Sequence, residues 1–395
     1  MIERKEYAAQ LRQWKNQPVI KVITGVRRCG KSTLLRLFQE ELVAGGVDAA
    51  QCIAVNFEDI AFEQLMDYHR LYNYLLEHLV PGKMTYIFLD EIQLVNEFQK
   101  VVNSLQLKEH VDIYLTGSNA YMLSGELATL LSGRYVEISM LPLSFREYYE
   151  IVGGEKQQAF AAYYRNGGFP FTSTLTSPET LREYLQGVYS TVLLKDIAAR
   201  KRISDIPLLE SVIRFLADNI GNIVSGKKIA DSLNSTGKKT TASTVDIYVQ
   251  ALKDAYILYE ANRFDIKGKQ HLVSLEKFYL VDPGLRTFLL GERTRDTGRI
   301  LENIVYLELL RRGYRVSIGK VGTMEVDFVA EKGDDRVYYQ VAASIMDETT
   351  YEREFKSLKS IQDHYPKYVL TMDTLPMGED GIKQINIVDY LLGNV

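Results

Sequence analysis

The chain has 395 residues and a mass of 45.1 kDa, long enough for two or three domains. Its 46% hydrophobic and 25% charged residues exclude wholesale disorder, and a net charge of −4 excludes attachment to nucleic acid by bulk charge while leaving room for a local basic patch. Cys29 and Cys52 cannot build a disulfide framework, Met1 runs straight into Ile2-Glu3-Arg4-Lys5-Glu6, and no apolar run approaches the ~18 residues of a membrane span. These features predict a soluble, cytoplasmic chain with no membrane partner.

In chain order, Val19–Thr24 reads as a buried strand, followed by a glycine-containing turn and a helix opening near Lys31 with Leu34, Leu35, Leu37 and Phe38 at helical spacing. Cys52–Phe57, Thr85–Leu89 and Val111–Leu115 are further short apolar strands, each ending in polar residues. Such strands separated by helices predict a parallel sheet covered on both faces, with ligands bound beyond the carboxyl ends of the strands. From Pro142 to Gly291 the pattern is mostly helical, broken by the turn Asn166-Gly167-Gly168-Phe169-Pro170. Within it, a short helix at Gly226–Leu233, a polar turn at Asn234–Lys239, a helix at Ala242–Tyr256 and a hairpin pairing Ile257–Ile266 with Glu276–Val281 follow the order of a winged helix. From Asp296 the pattern predicts a helix through Arg312 and strands at Tyr314–Ile318, Met324–Ala330 and Val337–Val341. A helix at Tyr351–His364, a strand at Tyr368–Met372 and a terminal Ile385–Leu392 piece close the chain.

Gly25-Val26-Arg27-Arg28-Cys29-Gly30-Lys31-Ser32 fits G-x-x-x-x-G-K-[ST] at every fixed position, between a strand and a helix as the motif requires. Glycines let the backbone curl so that several N–H groups point at one phosphate, and the helix N-terminus adds positive potential. The pattern assigns Gly25 through Thr33 to nucleotide binding, Lys31 to the β- and γ-phosphates and the Ser32 hydroxyl to Mg²⁺. Tyr86–Leu89 ends in Asp90-Glu91, 59 residues after Lys31. Asp90 suits the magnesium platform, and Glu91 could orient and deprotonate the attacking water. Asn56 ends the second strand, and Ser118 or Asn119 could sense the γ-phosphate from the strand beginning at Val111. Arg134, in Ser132-Gly133-Arg134-Tyr135, is a surface residue on a glycine turn or an arginine finger, within its own chain or across an interface of a homo-oligomer.

Together with Leu115–Asn119, Leu131–Tyr135, Leu141–Phe145, Gly167–Pro170, Leu194–Ile197 and Glu325–Val329, these motifs resemble a bacterial and archaeal family of AAA-type ATP-binding proteins with a C-terminal domain of unknown function. The resemblance implies an α/β, ASCE-type P-loop ATPase domain, a helical or winged-helix part and a small α/β restriction-endonuclease-like domain. The expected divisions are 1–140 (ATPase), 141–195 (helical connector), 196–292 (winged-helix-like) and 293–395 (nuclease-like).

In that last segment Glu302 could be a helix acid and Asp327 a strand acid, with Glu325 on the same strand face. Where a nuclease of this type has E-x-K, the chain has Gln340-Val341-Ala342, which lacks a carboxylate and the lysine. The expectation is a degenerate scaffold, with Lys356 the candidate substitute amine. Between Lys195 and Gln270 there are 13 Lys and Arg against 9 Asp and Glu, and Lys227, Lys228, Lys238, Lys239, Lys267 and Lys269 fall at turns or helix starts, where phosphate contacts are common. The sequence therefore predicts an Mg²⁺-dependent ATPase acting through its C-terminal domains, with DNA as a partner. A slow nucleotide-gated switch that recruits a protein, and an ATP-gated nuclease, are the alternatives.

Overall fold

The computed structural model describes residues 2–118, 131, 133–192, 197, 198, 203–293 and 296–394, with backbone alone for 271–275. They fall into two compact units, Met1–Met140 with Asp254–Tyr256 and Leu141–Lys253 with Ile257–Val395. No described helix is long and apolar enough to cross a membrane.

The first unit contains α1 (Lys5–Trp14), β1 (Ile20–Thr24), α2 (Lys31–Ala44), β2 (Cys52–Asn56), α3 (Tyr68–Glu77), β3 (Thr85–Asp90), α4 (Phe98–Gln106), β4 (Val111–Gly117) and β5 (Tyr135–Ser139). The five strands form one wholly parallel sheet in the order β2-β3-β4-β1-β5. Strand β4 therefore lies between the strand that feeds the phosphate loop and the strand that ends in Asp90, which is the ASCE arrangement. Both central strands β1 and β3 are buried along their whole length, the reason they read as continuous apolar runs. On one face Ile20, Val22, Ile87, Leu89, Ile113 and Leu115 pack with Leu71 and Leu75 of α3 and Val101, Val102 and Leu105 of α4. A polar pair lies in the interior: Lys21, fully buried on β1, forms an ion pair with Asp112 of β4, whose carboxylate also accepts from the Tyr114 hydroxyl at 2.8 Å.

The second unit begins with α5 (Phe145–Val152), α6 (Lys156–Asn166), α7 (Pro178–Thr191) and α8 (Ile206–Asp218). Then come β6 (Ile223–Val224), α9 (Gly226–Ser235), α10 (Ala242–Asp254), β7 (Leu258–Asp265), β8 (Gln270–Leu280), α11 (Pro283–Leu290) and α12 (Thr297–Arg311). The chain ends with β9 (Arg315–Val321), β10 (Met324–Lys332), β11 (Asp335–Val341), α13 (Glu348–Lys359), β12 (Lys367–Thr371), β13 (Gly378–Glu379), β14 (Ile382–Asn386) and α14 (Ile387–Leu392). Its strands make one mixed sheet of nine, β13-β14-β12-β11-β10-β9-β7-β8-β6. The join is the parallel pairing of β7 with β9, where Arg263, Phe264 and Asp265 align with Ile318, Gly319 and Lys320. Phe264 and Ile266 of the hairpin are buried in the same cluster as Val326, Val329, Tyr338 and Phe355. The expected division at 292/293 is thus not a break between separate sheets. Helix, helix and hairpin do follow one another as the sequence suggests, but the hairpin continues into the C-terminal sheet.

The Gly167-Gly168 turn has a steric cause. Asp282 is fully buried at the N-cap of α11, accepts from the Gly168 N–H at 2.6 Å and from the Leu285 N–H at 3.0 Å, and leaves no room for side chains. A Cβ on Gly167, at φ +80°, would lie 2.0 Å from the Asp282 carboxylate, and one on Gly168 would lie 2.4 Å from the Leu143 carbonyl.

Candidate functional site

The loop from Gly25 to Gly30 leaves the carboxyl end of β1 and enters α2 at Lys31. Gly25 has φ +143°, and a Cβ there would lie 2.1 Å from the Met140 carbonyl, so only glycine lets the chain turn so tightly beside the end of β5. Gly30, at φ +106°, is the left-handed N-cap of α2, and Arg28 is also left-handed at φ +65°. Cys29 is buried inside the loop, and its carbonyl accepts from the Arg4 guanidinium at 3.0 Å. Arg4 braces the loop from the start of α1, a role with no sequence signal beyond one charge in a charged stretch. Arg27 pairs with Glu58 at 2.5 Å.

Lys31 is buried, its ammonium donating to the Gly25 and Val26 carbonyls at 2.9 and 3.1 Å and lying 3.7 Å from the Glu91 carboxylate. Asp90 ends β3 next to it, hydrogen-bonded to the Thr116 hydroxyl and lining one cleft with Ser32. Thr116, on β4, accepts in turn from the Glu91 N–H at 2.9 Å, so one hydroxyl ties the two acids together. Glu91 holds a left-handed backbone, φ +55°, unusual for a non-glycine residue. Its carboxylate accepts from Ser118 at 2.9 Å and from the Gln93 amide.

The adjacent acids titrate in opposite directions. Burial raises the Asp90 carboxyl above its usual range, against the hydrogen bonds from Thr116 and Ser32. Burial also acts on Glu91, but the Lys31 charge and the Gln93 and Ser118 hydrogen bonds outweigh it and hold that carboxyl below its usual range. Divergent environments thus push two neighbouring acids toward different protonation behaviour.

Lys31, Ser32, Asp90, Glu91 and Ser118 are therefore brought together at the carboxyl ends of β1, β3 and β4. Asn56 aligns with Asp90 across the β2–β3 pairing, yet its side chain accepts from the Glu58 N–H at 2.9 Å, a turn contact. Asn119 lies outside the described residues. Arg134 stands apart: its carbonyl accepts from the Ile20 N–H at 2.9 Å, at the amino end of β1. A strand advances about 3.3 Å per residue, so the Arg134 backbone is about 15 Å from the phosphate loop of its own chain. The side chain cannot span that gap.

Residues 17–149 match the family described as AAA domain, and residues 157–296 match a domain of unknown function (DUF8612). An uncharacterized protein of Haemophilus influenzae is 41% identical over 99% of both chains. The chain belongs to this AAA-domain family. Another uncharacterized member, from Methanocaldococcus jannaschii, is 31% identical over 94% of this chain and 85% of its own length. Among solved structures, a Walker-type ATPase of Pyrococcus abyssi superposes with a TM-score of 0.52 at 17% identity, covering 73% of this chain and 96% of that one, a likeness of fold. The AAA domain here is thus a P-loop ATPase fold with the phosphate loop at its expected place.

In the second unit of this AAA-domain protein, Glu302, Asp327 and Gln340 converge on one cavity with Glu325 and Glu354. The Gln340 amide oxygen accepts from the Asp327 N–H at 2.6 Å, while its nitrogen donates to Glu354 at 2.9 Å and Ser357 at 3.0 Å. Lys356, exposed on α13, lines the cavity, but the amine ion-paired with the acids is Lys277 of β8. Sequence reading missed it because it lies in the hairpin, far along the chain from the acids.

Proposed function

We propose that the chain is an Mg²⁺-dependent ATPase whose nucleotide state acts on the second unit, which binds the phosphate backbone of DNA. The observation that carries this reading is the convergence of Lys31, Ser32, Asp90 and Glu91 at the carboxyl ends of the parallel strands β1 and β3. Lys31 would exchange the Gly25 and Val26 carbonyls for the β- and γ-phosphate oxygens, and the N-terminus of α2 would face the anion. The Ser32 hydroxyl and Asp90 carboxylate, which line the same cleft, are the hard oxygen donors that suit Mg²⁺. When bound, the cation's contribution is to draw charge from the β- and γ-phosphates. Glu91, kept ionised by Lys31, would orient a water and take its proton. Ser118 would report the nucleotide state to Glu91 through their hydrogen bond. Arg134, unable to reach its own loop, would serve the site of a neighbouring copy in a homo-oligomer.

The DNA reading rests on Lys227, Lys228, Lys238, Lys239, Lys267 and Lys269, all exposed at the start of α9, the α9–α10 turn and the hairpin tip. The exposed face of α10 favours a second reading. It presents Ser243, Asp246, Ile247 and Gln250, and Lys253 at its end is paired with Glu260. A face without cations suits sequence-independent contact by the turns alone, or a protein partner on α10. Steady-state ATP hydrolysis, measured with and without duplex DNA over a salt series, tests both. Turnover that is lost in Glu91→Gln and stimulated by DNA, with affinity falling steeply as salt rises, supports the DNA-acting ATPase. Turnover indifferent to DNA favours the switch, and undiminished turnover in Glu91→Gln removes the catalytic assignment.

A further inference from the structure

The acidic centre of the second unit is where a nuclease-like fold would hold a divalent cation, and its donor set does not fit one. Lys277, 3% exposed, places its ammonium 2.7 Å from Glu325, 3.1 Å from Glu302 and 3.9 Å from Asp327. Tyr279, two residues on along β8, donates its hydroxyl to the same Glu302 oxygen at 2.7 Å. Asp327 spends its other oxygen on the Val341 N–H at 2.9 Å, and both ends of the Gln340 amide are engaged. Among the described residues no group of three His, Cys, Asp or Glu is arranged to hold a metal ion.

We infer that Lys277 is the resident cation of this centre: its ammonium takes the place of a divalent metal among Glu302, Glu325 and Asp327, and thereby closes the site to metal-dependent phosphodiester cleavage. Three carboxylates gathered in a largely buried place need a positive charge, and this chain supplies one internally. Because Lys277 comes from the hairpin while Glu302 is on α12 and Glu325 and Asp327 are on β10, the same contact ties the hairpin to the C-terminal strands. Arg353 of α13 pairs with Glu354 at 2.6 Å, and Arg299, Arg353 and Lys356 line the same cavity, whereas Lys277 makes ion pairs with all three acids. The inference does not rest on the ATPase reading, since every residue in it belongs to the second unit.

The test uses the full chain without nucleotide. Calorimetric titration with Mn²⁺ to millimolar concentration should show no uptake that Asp327→Asn abolishes. Lys277→Met should lower the melting temperature by about 10 °C, the size expected when a buried ion cluster loses the cation paired with all three of its acids. Adding Glu302→Gln to Lys277→Met should recover half or more of that loss, because it removes one of the charges left unpaired. Mn²⁺ uptake by the parent that disappears in Asp327→Asn would overturn the inference. So would a double variant no more stable than Lys277→Met. If Lys277→Met alone does not fold, the parent titration and the folding of the double variant still decide the matter.

Discussion

The Lys31 ammonium lies 3.7 Å from the Glu91 carboxylate, so the cation that would grip phosphate also sets the charge of the residue that would prepare water. Two variants separate these roles. Lys31→Ala should lose most nucleotide affinity, whereas Glu91→Gln should retain binding and lose about 10²- to 10⁴-fold in turnover. Calorimetry with a non-hydrolysable ATP analogue and a phosphate-release assay measure the two. Because Glu91 is held below the usual carboxylate range, its deprotonated form is complete at neutral pH. The rate should not fall between pH 8 and 6 on its account, and its acid limb should appear only below the ordinary carboxylate range.

The position of Arg134 at the amino end of β1 makes a distinct prediction. Arg134→Ala should keep the nucleotide affinity of the parent and lose turnover by about 10³-fold or more. Mixing it with Glu91→Gln, itself inactive, should restore measurable hydrolysis, since a mixed interface joins an intact loop to an intact arginine. No recovery over a range of ratios would remove the interface role.

Lys21 and Asp112 test the interior of the AAA domain. Asp112→Ala would strand a buried ammonium beneath the sheet, and should cost about 3–5 kcal/mol of unfolding free energy. Asp112→Asn, which keeps an acceptor but not the charge, should cost less. Urea denaturation followed by circular dichroism gives both numbers.

Burial in the second unit pushes Asp282 from the ordinary aspartate range up to about 6, against the hydrogen bonds from the Gly168 and Leu285 N–H groups. A carboxyl that holds its proton more tightly when folded contributes most below its unfolded pKa. That contribution is lost as pH rises through about 6. The parent should therefore lose stability between pH 4 and 7 relative to Asp282→Asn, by at most about 3 kcal/mol, since each pKa unit is worth about 1.4 kcal/mol. Melting curves across that range check it. A parent and variant that change in parallel would count against the assignment.

Much of the AAA domain was legible because its signals are local. The phosphate loop needs glycine at Gly25 and Gly30 and a lysine at the helix start, and each requirement involves neighbours in sequence. Buried strands such as Ile20–Thr24 and Thr85–Asp90 show as apolar runs because both faces are covered. Helix α1 and strand β5 were not anticipated, and α3 and α4 were expected between the strands without positions of their own. Their patterns are short, and α1 is dominated by polar residues while burying only Tyr7, Ala8 and Leu11. The expected helix at Tyr351–His364 is found at Glu348–Lys359, because the side chain of Asp347 caps it by accepting from the Thr350 N–H at 2.9 Å.

The sequence by itself determined strands β1 to β4 and helix α2 of the first unit, the phosphate-binding turn and the pair of acids at the end of β3, since these depend on the chemistry of adjacent residues. Tertiary structure decided what depends on pairing across long stretches of chain. It put β4 between β1 and β3 so that Thr116 can bridge Asp90 and Glu91, and Arg134 at the wrong end of β1 for its own loop. It also carried the hairpin into the C-terminal sheet, so that Lys277, rather than Lys356, meets Glu302 and Glu325. The physical reason is that strand pairing and charge burial are settled by which distant segments share a sheet, and no periodicity within a segment encodes its neighbour.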